Sequence, residues 1–264
     1  MRQPVDLLNQ AVEQFNPVSV IVLFSGGNDS IVVADIARKW RADVKLIAID
    51  TGLSADGWKE WTNGLGAEIY ANPRQPEWYR DDVIENGFPY TRAAHTLMYR
   101  MLKERAIRDV LRREKVGRNR TDTVMFITGV RRHESPERWD APDIQKVGSA
   151  IWVNAIIDFT EDMRNAYQEE HNLPTNPFNQ HGLGSGDCQC NWGKFVSLAQ
   201  LKEHSPQLYE RVIKPLDDEA FERHGWHYGE APSKALKEAM RGQNIMPGFG
   251  PFLCAGCERL EANS

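Results

Sequence analysis

The feature that most constrains the fold is an apolar run, Val18–Phe24, that leads directly into the Ser-Gly-Gly-Asn-Asp-Ser segment at residues 25–30. The continuous apolar pattern predicts a strand that is buried on both faces. The residues after Ser30 have helical spacing, so the segment predicts a turn from a strand into a helix. Such a turn points backbone N–H groups and the positive end of a helix at one place, which predicts an anion site.

The residue types in this turn suit a phosphate group. The two glycines let the backbone approach a phosphate closely, and the serine hydroxyls can donate hydrogen bonds. The alternative is a tight turn in which Asp29 or Ser30 only caps the helix. A serine-flanked Gly-Gly-x-Asp-Ser pattern after an apolar strand favours a nucleotide phosphate. The candidate nucleotide-binding residues here are Ser25, Gly26, Gly27, Asn28, Asp29 and Ser30.

The composition is that of a soluble globular protein with one large or two modest domains. The 264 residues are 41% hydrophobic and 26% charged. We expect no membrane partner and a cytoplasmic location, because the sequence has no apolar run of membrane-spanning length and residues 1–6 have no signal-peptide core. Structural disulfides are then unexpected. A net charge of −5 argues against broad electrostatic binding of nucleic acid.

Apolar runs alternate with helical patterns, which predicts an α/β fold with a doubly wound parallel sheet. The predicted strands are Val18–Phe24, Val44–Asp50, Ala67–Ala71, Thr123–Thr128 and Ser149–Ile156. The predicted helices are Asp6–Phe15, Asp29–Trp40, Asp56–Leu65, Ala94–Lys115, Thr160–Glu170, Pro206–Lys214 and Pro232–Arg241. We expect a nucleotide-binding core at residues 1–156. Residues 157–264 are expected to form an irregular, mostly helical C-terminal part with a four-cysteine site, packed on the core.

Two further polar segments follow predicted strands, where parallel sheets bind ligands. The first is Asp50-Thr51-Gly52, whose acid suits a ribose hydroxyl or a Mg²⁺ ion carried by nucleotide phosphates. A simple strand-ending turn is an equal alternative. Asp29 and Asp50 are candidate catalytic and Mg²⁺-binding residues, and Asp50, Thr51 and Gly52 are candidate nucleotide-binding residues.

The second polar segment, residues 129–139, contains three arginines that suit a phosphate or sulfate group through paired hydrogen bonds. A solvated charged loop is the alternative, and the position after a strand favours a functional role. Gly129, Arg131 and Arg138 are candidate nucleotide-binding residues, and Arg131 and Arg132 are candidate catalytic residues.

The four cysteines form two close pairs, Cys188 with Cys190 and Cys254 with Cys257. Four gathered thiolates can hold a [4Fe–4S] cluster or a structural zinc ion. The tight Cys-x-Cys pair favours the cluster over zinc. A redox disulfide between Cys254 and Cys257 is a third option, but it leaves the other pair unexplained.

Residues 103–120 form a segment rich in lysine and arginine. A solvated helix face is the simpler interpretation of such a segment. The alternative is contact with a nucleic-acid acceptor or an acidic partner.

Together these segments resemble the phosphoadenosine phosphosulfate (PAPS) reductase family of the PP-loop, adenine nucleotide α-hydrolase-like superfamily. Residues 25–30 are similar to the PP-loop, 49–52 to the family's strand-end segment, and 129–138 to its arginine loop. Residues 152–156 and 171–177 resemble its Trp/Pro segment and its His-x-Leu-Pro-x-Asn-Pro stretch. The resemblance implies an adenine nucleotide as ligand, either ATP or adenylyl sulfate/PAPS. The cysteine pairs resemble the cluster ligands of the iron–sulfur branch, which includes adenylyl-sulfate reductases and the ATP pyrophosphatases of DNA phosphorothioation.

The sequence departs from that family in two ways. Asn28 stands where many members have lysine. The sulfonucleotide reductases use a mobile C-terminal cysteine as nucleophile, whereas a four-cysteine cluster would occupy every cysteine here.

We therefore expect an ATP pyrophosphatase that adenylates an acceptor, with the cluster assisting sulfur transfer. The alternative is a PAPS or adenylyl-sulfate reductase that forms sulfite. A thioredoxin-like donor or a sulfur-carrier protein would be the partner. A non-catalytic subunit that binds a nucleotide and a cluster is the third hypothesis, and an oligomer is possible.

Overall fold

The computed structural model describes residues 2–71, 74–115, 121–191 and 196–234. In this part of the chain, six strands form one sheet in the order β3–β2–β1–β4–β6–β5. The strands β1 to β6 are Ser19–Leu23, Lys45–Asp50, Glu68–Ala71, Val124–Thr128, Ile144–Val147 and Ala150–Asn154. The predicted α/β class is confirmed.

The central strands pair in parallel, as predicted. β1 lies between β2 and β4, and β4 also pairs in parallel with β6. β4 is buried along its whole length, in keeping with its continuous apolar sequence. The chain builds outwards from β1 to β2 and β3 and then returns to β4 on the other side of β1. That reversal makes the β1–β4 boundary the switch point at which such sheets bind ligands.

One edge of the sheet differs from the prediction. β5 was not predicted, and it runs antiparallel to β6. A two-residue hairpin joins β5 to β6, and its Gly148 has the left-handed φ of 60° that tight hairpins require. Most of β5 is exposed, which explains why no apolar run marks it in the sequence.

The helices agree broadly with the predictions. In chain order, α1 to α10 are Pro4–Phe15, Asn28–Trp40, Trp58–Gly64, Gln75–Asn86, Arg92–Tyr99, Arg105–Glu114, Glu161–Glu170, Leu198–His204, Pro206–Leu208 and Lys214–His224. The helices α4, α8 and α10 were not predicted. The predicted helix 94–115 is present, but a π-helical turn, Arg100–Glu104, interrupts it. A second π-helical turn, Tyr209–Ile213, joins α9 to α10.

The described residues form two compact units. The first comprises residues 2–49, 60–70, 106–115 and 121–177, and it contains almost all of the sheet. The second comprises residues 50–59, 71, 74–105, 178–191 and 196–234. This division differs from the predicted boundary at residue 156, because residues 157–177 belong to the first unit. The predicted helix 232–241 lies almost entirely outside the described residues.

The described helices include none with the length and apolar content needed to cross a membrane.

Candidate functional site

The turn after β1 is fixed by a glycine in a left-handed conformation. Gly26 has φ 78°, and a Cβ atom at this position would lie 2.8 Å from Thr62 Cγ2. The indole N–H of Trp61 donates to the Gly26 carbonyl at 3.0 Å. The close approach leaves no room for a side chain, so residue 26 must be glycine for this turn to form.

The turn leads directly into the first turn of α2. Gly27 is the N-cap, and it offers no side chain to cap the helix. The Ser30 hydroxyl donates to the Gly27 carbonyl at 2.8 Å, and the Gly27 N–H donates to Ser25 Oγ at 3.3 Å. The first-turn amides of a helix have no intrahelical acceptor. The geometry is therefore that of an anion site at a helix N-terminus.

Asn28 supports the turn through its own side chain. Its Oδ1 atom accepts hydrogen bonds from the Asn176 backbone N–H at 2.8 Å and from Gln168 Nε2 at 3.4 Å. The Asn176 side chain also donates to the Gly26 carbonyl at 2.6 Å. The predicted nucleotide-binding residue Asn28 thus connects the turn to the segment after α7.

Asp29 is paired with Arg131, which follows the neighbouring strand β4. Arg131 Nε donates to Asp29 Oδ1 at 2.8 Å, and its Nη2 lies 3.4 Å from Oδ2. The Arg131 side chain is 8% exposed. A Cβ atom on Gly129 would lie 3.0 Å from the Asp29 carbonyl carbon, so the glycine permits β4 to end close to α2. The structure thereby brings Asp29, Gly129 and Arg131 together.

Glu134 and Arg138 form a second ion pair in the arginine loop, in which Arg138 is buried and Glu134 is largely buried. Burial raises the pKa of Glu134 to about 7, and the nearby Asp29 charge adds to this effect while Arg138 opposes it. The ion pair alone would favour the charged carboxylate, so burial is the stronger influence here. A carboxyl group with such a pKa can hold or release a proton near neutral pH.

Arg132 is oriented differently from its neighbour Arg131. Its guanidinium pairs with Asp143 and Asp158 and also donates to the Ala141 carbonyl at 3.2 Å. Its backbone N–H donates to the Ile157 carbonyl at 2.9 Å. These contacts hold the chain around β5 and β6, so the geometry gives Arg132 a structural role. Its predicted catalytic role gains no support from these contacts.

In the second unit, Asp50 organises the turn that follows β2. Its Oδ1 atom accepts from the Gly52 N–H and the Ser54 hydroxyl, each at 2.9 Å, and Lys59 Nζ lies 2.5 Å from Oδ2. Thr51 Oγ1 donates to the Asp187 carbonyl at 3.0 Å. The strand-ending turn that we gave as an alternative is therefore present. The predicted contacts of Asp50, Thr51 and Gly52 with a nucleotide or Mg²⁺ stay predictions.

Two of the four predicted metal ligands are described. Cys188 and Cys190 are both buried, and neither forms a disulfide within the described ranges. The hydroxyl of Tyr79 donates to the Cys190 carbonyl at 3.3 Å, and that of Tyr228 donates to the Gln189 carbonyl at 3.0 Å. Burial, with the cysteines close by, raises the pKa of both tyrosines. This segment is therefore a buried site with two thiols one residue apart.

The other predicted ligands, Cys254 and Cys257, lie outside the described residues. Among the residues that are described, no group of three His, Cys, Asp or Glu side chains is placed to hold a metal ion. The paired, buried thiols nevertheless fit half of a thiolate donor set for an iron–sulfur cluster or zinc.

Several cations of the basic segment 103–120 are engaged in ion pairs. The pairs are Lys103 with Asp187, Arg112 with Asp109, and Arg113 with Glu68 and Glu114. Residues 116–120 lie outside the described part. The exposed pairs of Arg112 and Arg113 favour the interpretation as a solvated helix face, whereas the Lys103 pair is largely buried. Contact with a nucleic acid stays a prediction.

Sequence reasoning missed the residues that support the turn at residues 25–30 from a distance. Trp61, Gln168 and Asn176 each donate a hydrogen bond to the turn, but none of the three was assigned a role. The only signal in the sequence is the stretch at 171–177, whose family resemblance implies no particular contact. Their spacing from residues 25–30 gives no local pattern, so only the fold shows the contacts.

The fold and the first site define an α/β protein with a phosphate-loop geometry after its first strand. Residues 19–223 match the family model described as the phosphoadenosine phosphosulfate reductase domain. This match covers most of the chain, so the chain belongs to the phosphoadenosine phosphosulfate reductase domain family.

Curated relatives agree with that family. The chain is 25% identical over 174 residues to a phosphoadenosine 5′-phosphosulfate reductase of Xanthomonas axonopodis pv. citri (strain 306), covering 65% of this chain and 70% of that protein. It is 23% identical over 189 residues to the protein of the same name from Thiocapsa roseopersicina, covering 68% of this chain and 74% of that protein.

A solved structure has the same fold. The phosphoadenylyl-sulfate reductase of Candida auris, solved as a phosphate complex, matches with a TM-score of 0.50 and 19% sequence identity. The match covers 69% of this chain and 85% of that one. At this identity the likeness supports the fold alone.

Proposed function

We propose that this protein binds an adenine nucleotide through residues 25–30 and catalyses acceptor adenylation with release of pyrophosphate. The observation that carries the proposal is the turn itself. Gly26 is fixed in a left-handed conformation, and α2 begins at Gly27 without a side-chain cap. A nucleotide phosphate is the anion that such a turn fits.

The proposed reaction balances as a substitution at the α-phosphorus of ATP. A nucleophilic atom of the acceptor bonds to that phosphorus, and the bond to the oxygen bridging the α- and β-phosphates breaks. Pyrophosphate leaves with the electron pair. The protein would contribute mainly positioning and charge stabilisation. The Asp29–Arg131 pair would fix the first turn of α2.

The thiols bear on the choice between adenylation and reduction. A reductase of the resembled type needs a thiol nucleophile, whereas the two described thiols are both buried. Cys188 and Cys190, with Cys254 and Cys257, would hold a [4Fe–4S] cluster, with zinc as the alternative. When bound, such a cluster would supply a redox-active or sulfur-handling centre.

The test combines ligand binding with product analysis. Anaerobically purified protein is titrated calorimetrically with ATP, PAPS and adenylyl sulfate, and pyrophosphate and sulfite are then measured in the presence of Mg²⁺. We expect ATP binding and acceptor-dependent pyrophosphate release. Ser30→Ala should weaken binding, because it removes the bond to the Gly27 carbonyl. Ser149→Ala, which removes a hydroxyl bonded to Lys115, serves as the matched control.

The second candidate function is reduction of PAPS or adenylyl sulfate to sulfite with a thioredoxin-like donor. The names of the two curated relatives favour it. Sulfite release without pyrophosphate release would establish this candidate and refute adenylation. Measured iron, sulfide and zinc contents decide the cofactor: about four irons per chain support the cluster, and one zinc without iron refutes it.

A further inference from the structure

A second guanidinium lies beside the Asp29 carboxylate. Arg164 stands on α7, with its Nη1 3.9 Å from Asp29 Oδ1 and its side chain 8% exposed. The start of α7 is fixed by Thr160, whose hydroxyl accepts from the Met163 N–H at 3.2 Å. One turn after Arg164, Gln168 bonds to Asn28. This face of α7 is therefore anchored against the start of α2.

Arg164 uses little of its capacity to donate hydrogen bonds. Its Nη2 donates to Glu161 Oε1 at 3.2 Å, but the Glu161 side chain is 69% exposed, and such exposed pairs are weak. Its Nε is buried and has no hydrogen-bond partner. A buried donor without an acceptor is unfavourable, and native structures rarely contain one without a reason.

The charges around Arg164 also favour a contact with an anion. Asp29 is the one ionisable residue within 25–30, so the turn contains no cation of its own. Arg131 already meets the Asp29 carboxylate through two nitrogen atoms. Arg164 is thus a second buried cation beside the partly exposed Asp29 carboxylate. Charges in such a partly buried place are poorly screened by water and salt. The Arg164 guanidinium would therefore stabilise an anion that binds nearby.

We propose that Arg164 is a further recognition residue of the phosphate turn, and that its charge selects polyphosphates over ligands with few or no charges. The inference rests on the proposed function, in which the turn binds nucleotide phosphates. A polyphosphate bound at the start of α2 would place further negative charge close to the Arg164 guanidinium, in addition to that of Asp29. Its oxygen atoms are also the acceptors that guanidinium groups bind best.

The test measures how affinity depends on ligand charge. Wild-type protein, Arg164→Gln and Arg164→Lys are titrated calorimetrically with inorganic pyrophosphate, ATP and adenosine. We expect the Gln variant to lose about tenfold or more in affinity for pyrophosphate and ATP. Adenosine affinity should stay unchanged, and the Lys variant should keep most of the affinity for pyrophosphate. Arg112→Gln, which removes an exposed arginine paired with Asp109, is the control for a change in net charge.

The results that would overturn the inference differ from the result that would contradict the proposed function. Pyrophosphate affinity of Arg164→Gln within about twofold of wild type overturns the inference alone, provided that the wild type binds. An equal loss for adenosine and pyrophosphate shows a merely structural role and also overturns it. If the Gln variant does not fold, Arg164→Met decides: a loss of pyrophosphate affinity without loss of adenosine affinity supports the inference, and unchanged pyrophosphate affinity overturns it. Absence of pyrophosphate and ATP binding in the wild type contradicts the proposed function itself.

Discussion

The phosphate turn at residues 25–30 and the thiol segment at residues 188–190 are built in opposite ways. The turn is polar and is held by hydrogen bonds and ion pairs from Trp61, Arg131 and Asn176. The thiol segment is buried next to two tyrosine hydroxyls that bond its backbone carbonyls. One region combines a helix N-terminus with an ion pair, whereas the burial of the other keeps water from two sulfur atoms.

Both regions nevertheless contain a glycine in the left-handed conformation that packs closely against larger side chains. A Cβ atom on Gly26 would lie 2.8 Å from Thr62, and one on Gly186 (φ 83°) would lie 2.7 Å from Phe178 and 3.1 Å from Trp58. Both regions therefore depend on backbone positions that admit no side chain. The conformation of the backbone is therefore as important to each region as its polar or thiol side chains.

The largest expected effect comes from filling these glycines. Gly26→Ala and Gly186→Ala should each destabilise their own region by about 3 kcal/mol, from the left-handed strain together with overpacking. We expect Gly26→Ala to abolish ATP binding in calorimetry and leave the thiols protected. Gly186→Ala should instead expose Cys188 and Cys190 to alkylation, measured by peptide mass spectrometry.

Gly148→Ala is the matched control for the glycine variants. Its φ of 60° is also left-handed, but no atom lies within 4 Å of the added Cβ. It should therefore show the backbone cost without the steric clash. If Gly26→Ala binds ATP as the wild type does, the turn is not the phosphate site. If Gly186→Ala leaves both thiols protected, their burial does not depend on that turn.

A smaller effect is expected from the buried carboxyl group beside the turn. The pKa of Glu134 is about 7 in the folded protein against an ordinary value of 4.5, so the folded state binds this proton more tightly than the unfolded state does. The resulting stabilisation is complete below the ordinary pKa and is lost as the pH rises through about 7. Its size between pH 5 and pH 8 should be on the order of 2 kcal/mol.

Urea unfolding of the wild type and Glu134→Gln at both pH values checks this prediction. The wild type should lose more unfolding free energy than the variant on going from the acidic to the alkaline condition. Other titrating groups cancel in the difference between the two proteins. Equal losses in both would mean that Glu134 ionises normally, with its pair to Arg138 outweighing burial.

The sequence predicted those parts of the molecule that follow from local pattern. β1, α2 and the turn between them were found because the apolar run, the glycines and the helical spacing are contiguous. The pairing of Asp29 with Arg131 was not predicted, although both residues follow parallel strands that the topology places side by side. Contiguous signals of this kind depend on local backbone preferences, which sequence expresses directly.

The parts that were missed depend on tertiary contacts. β5 has an exposed, mostly polar sequence, and it exists as a strand because the hairpin at Gly148 pairs it with β6. Arg132 was predicted to share the catalytic role of Arg131. Its guanidinium instead pairs with Asp143 and Asp158. The sequence around Asn176 contains no pattern that predicts its hydrogen bond to the Gly26 carbonyl. The contacts of Arg132 and Asn176 join residues more than ten positions apart, so no short window contains them. β5 pairs locally with β6 and was missed because its sequence has no apolar run.

The smallest expected effect concerns the support of the turn by Asn176. Asn176→Ala removes the side-chain bond to the Gly26 carbonyl but keeps the backbone bond to Asn28. We expect a loss of about 1 kcal/mol in ATP binding, or roughly a five- to tenfold weaker affinity in calorimetry. Asn165→Ala, an exposed residue of α7, should bind as the wild type does. Since Trp61 still bonds the same carbonyl, a complete loss of binding would show that Asn176 contacts the nucleotide directly, and an unchanged affinity would show that Trp61 alone holds the turn.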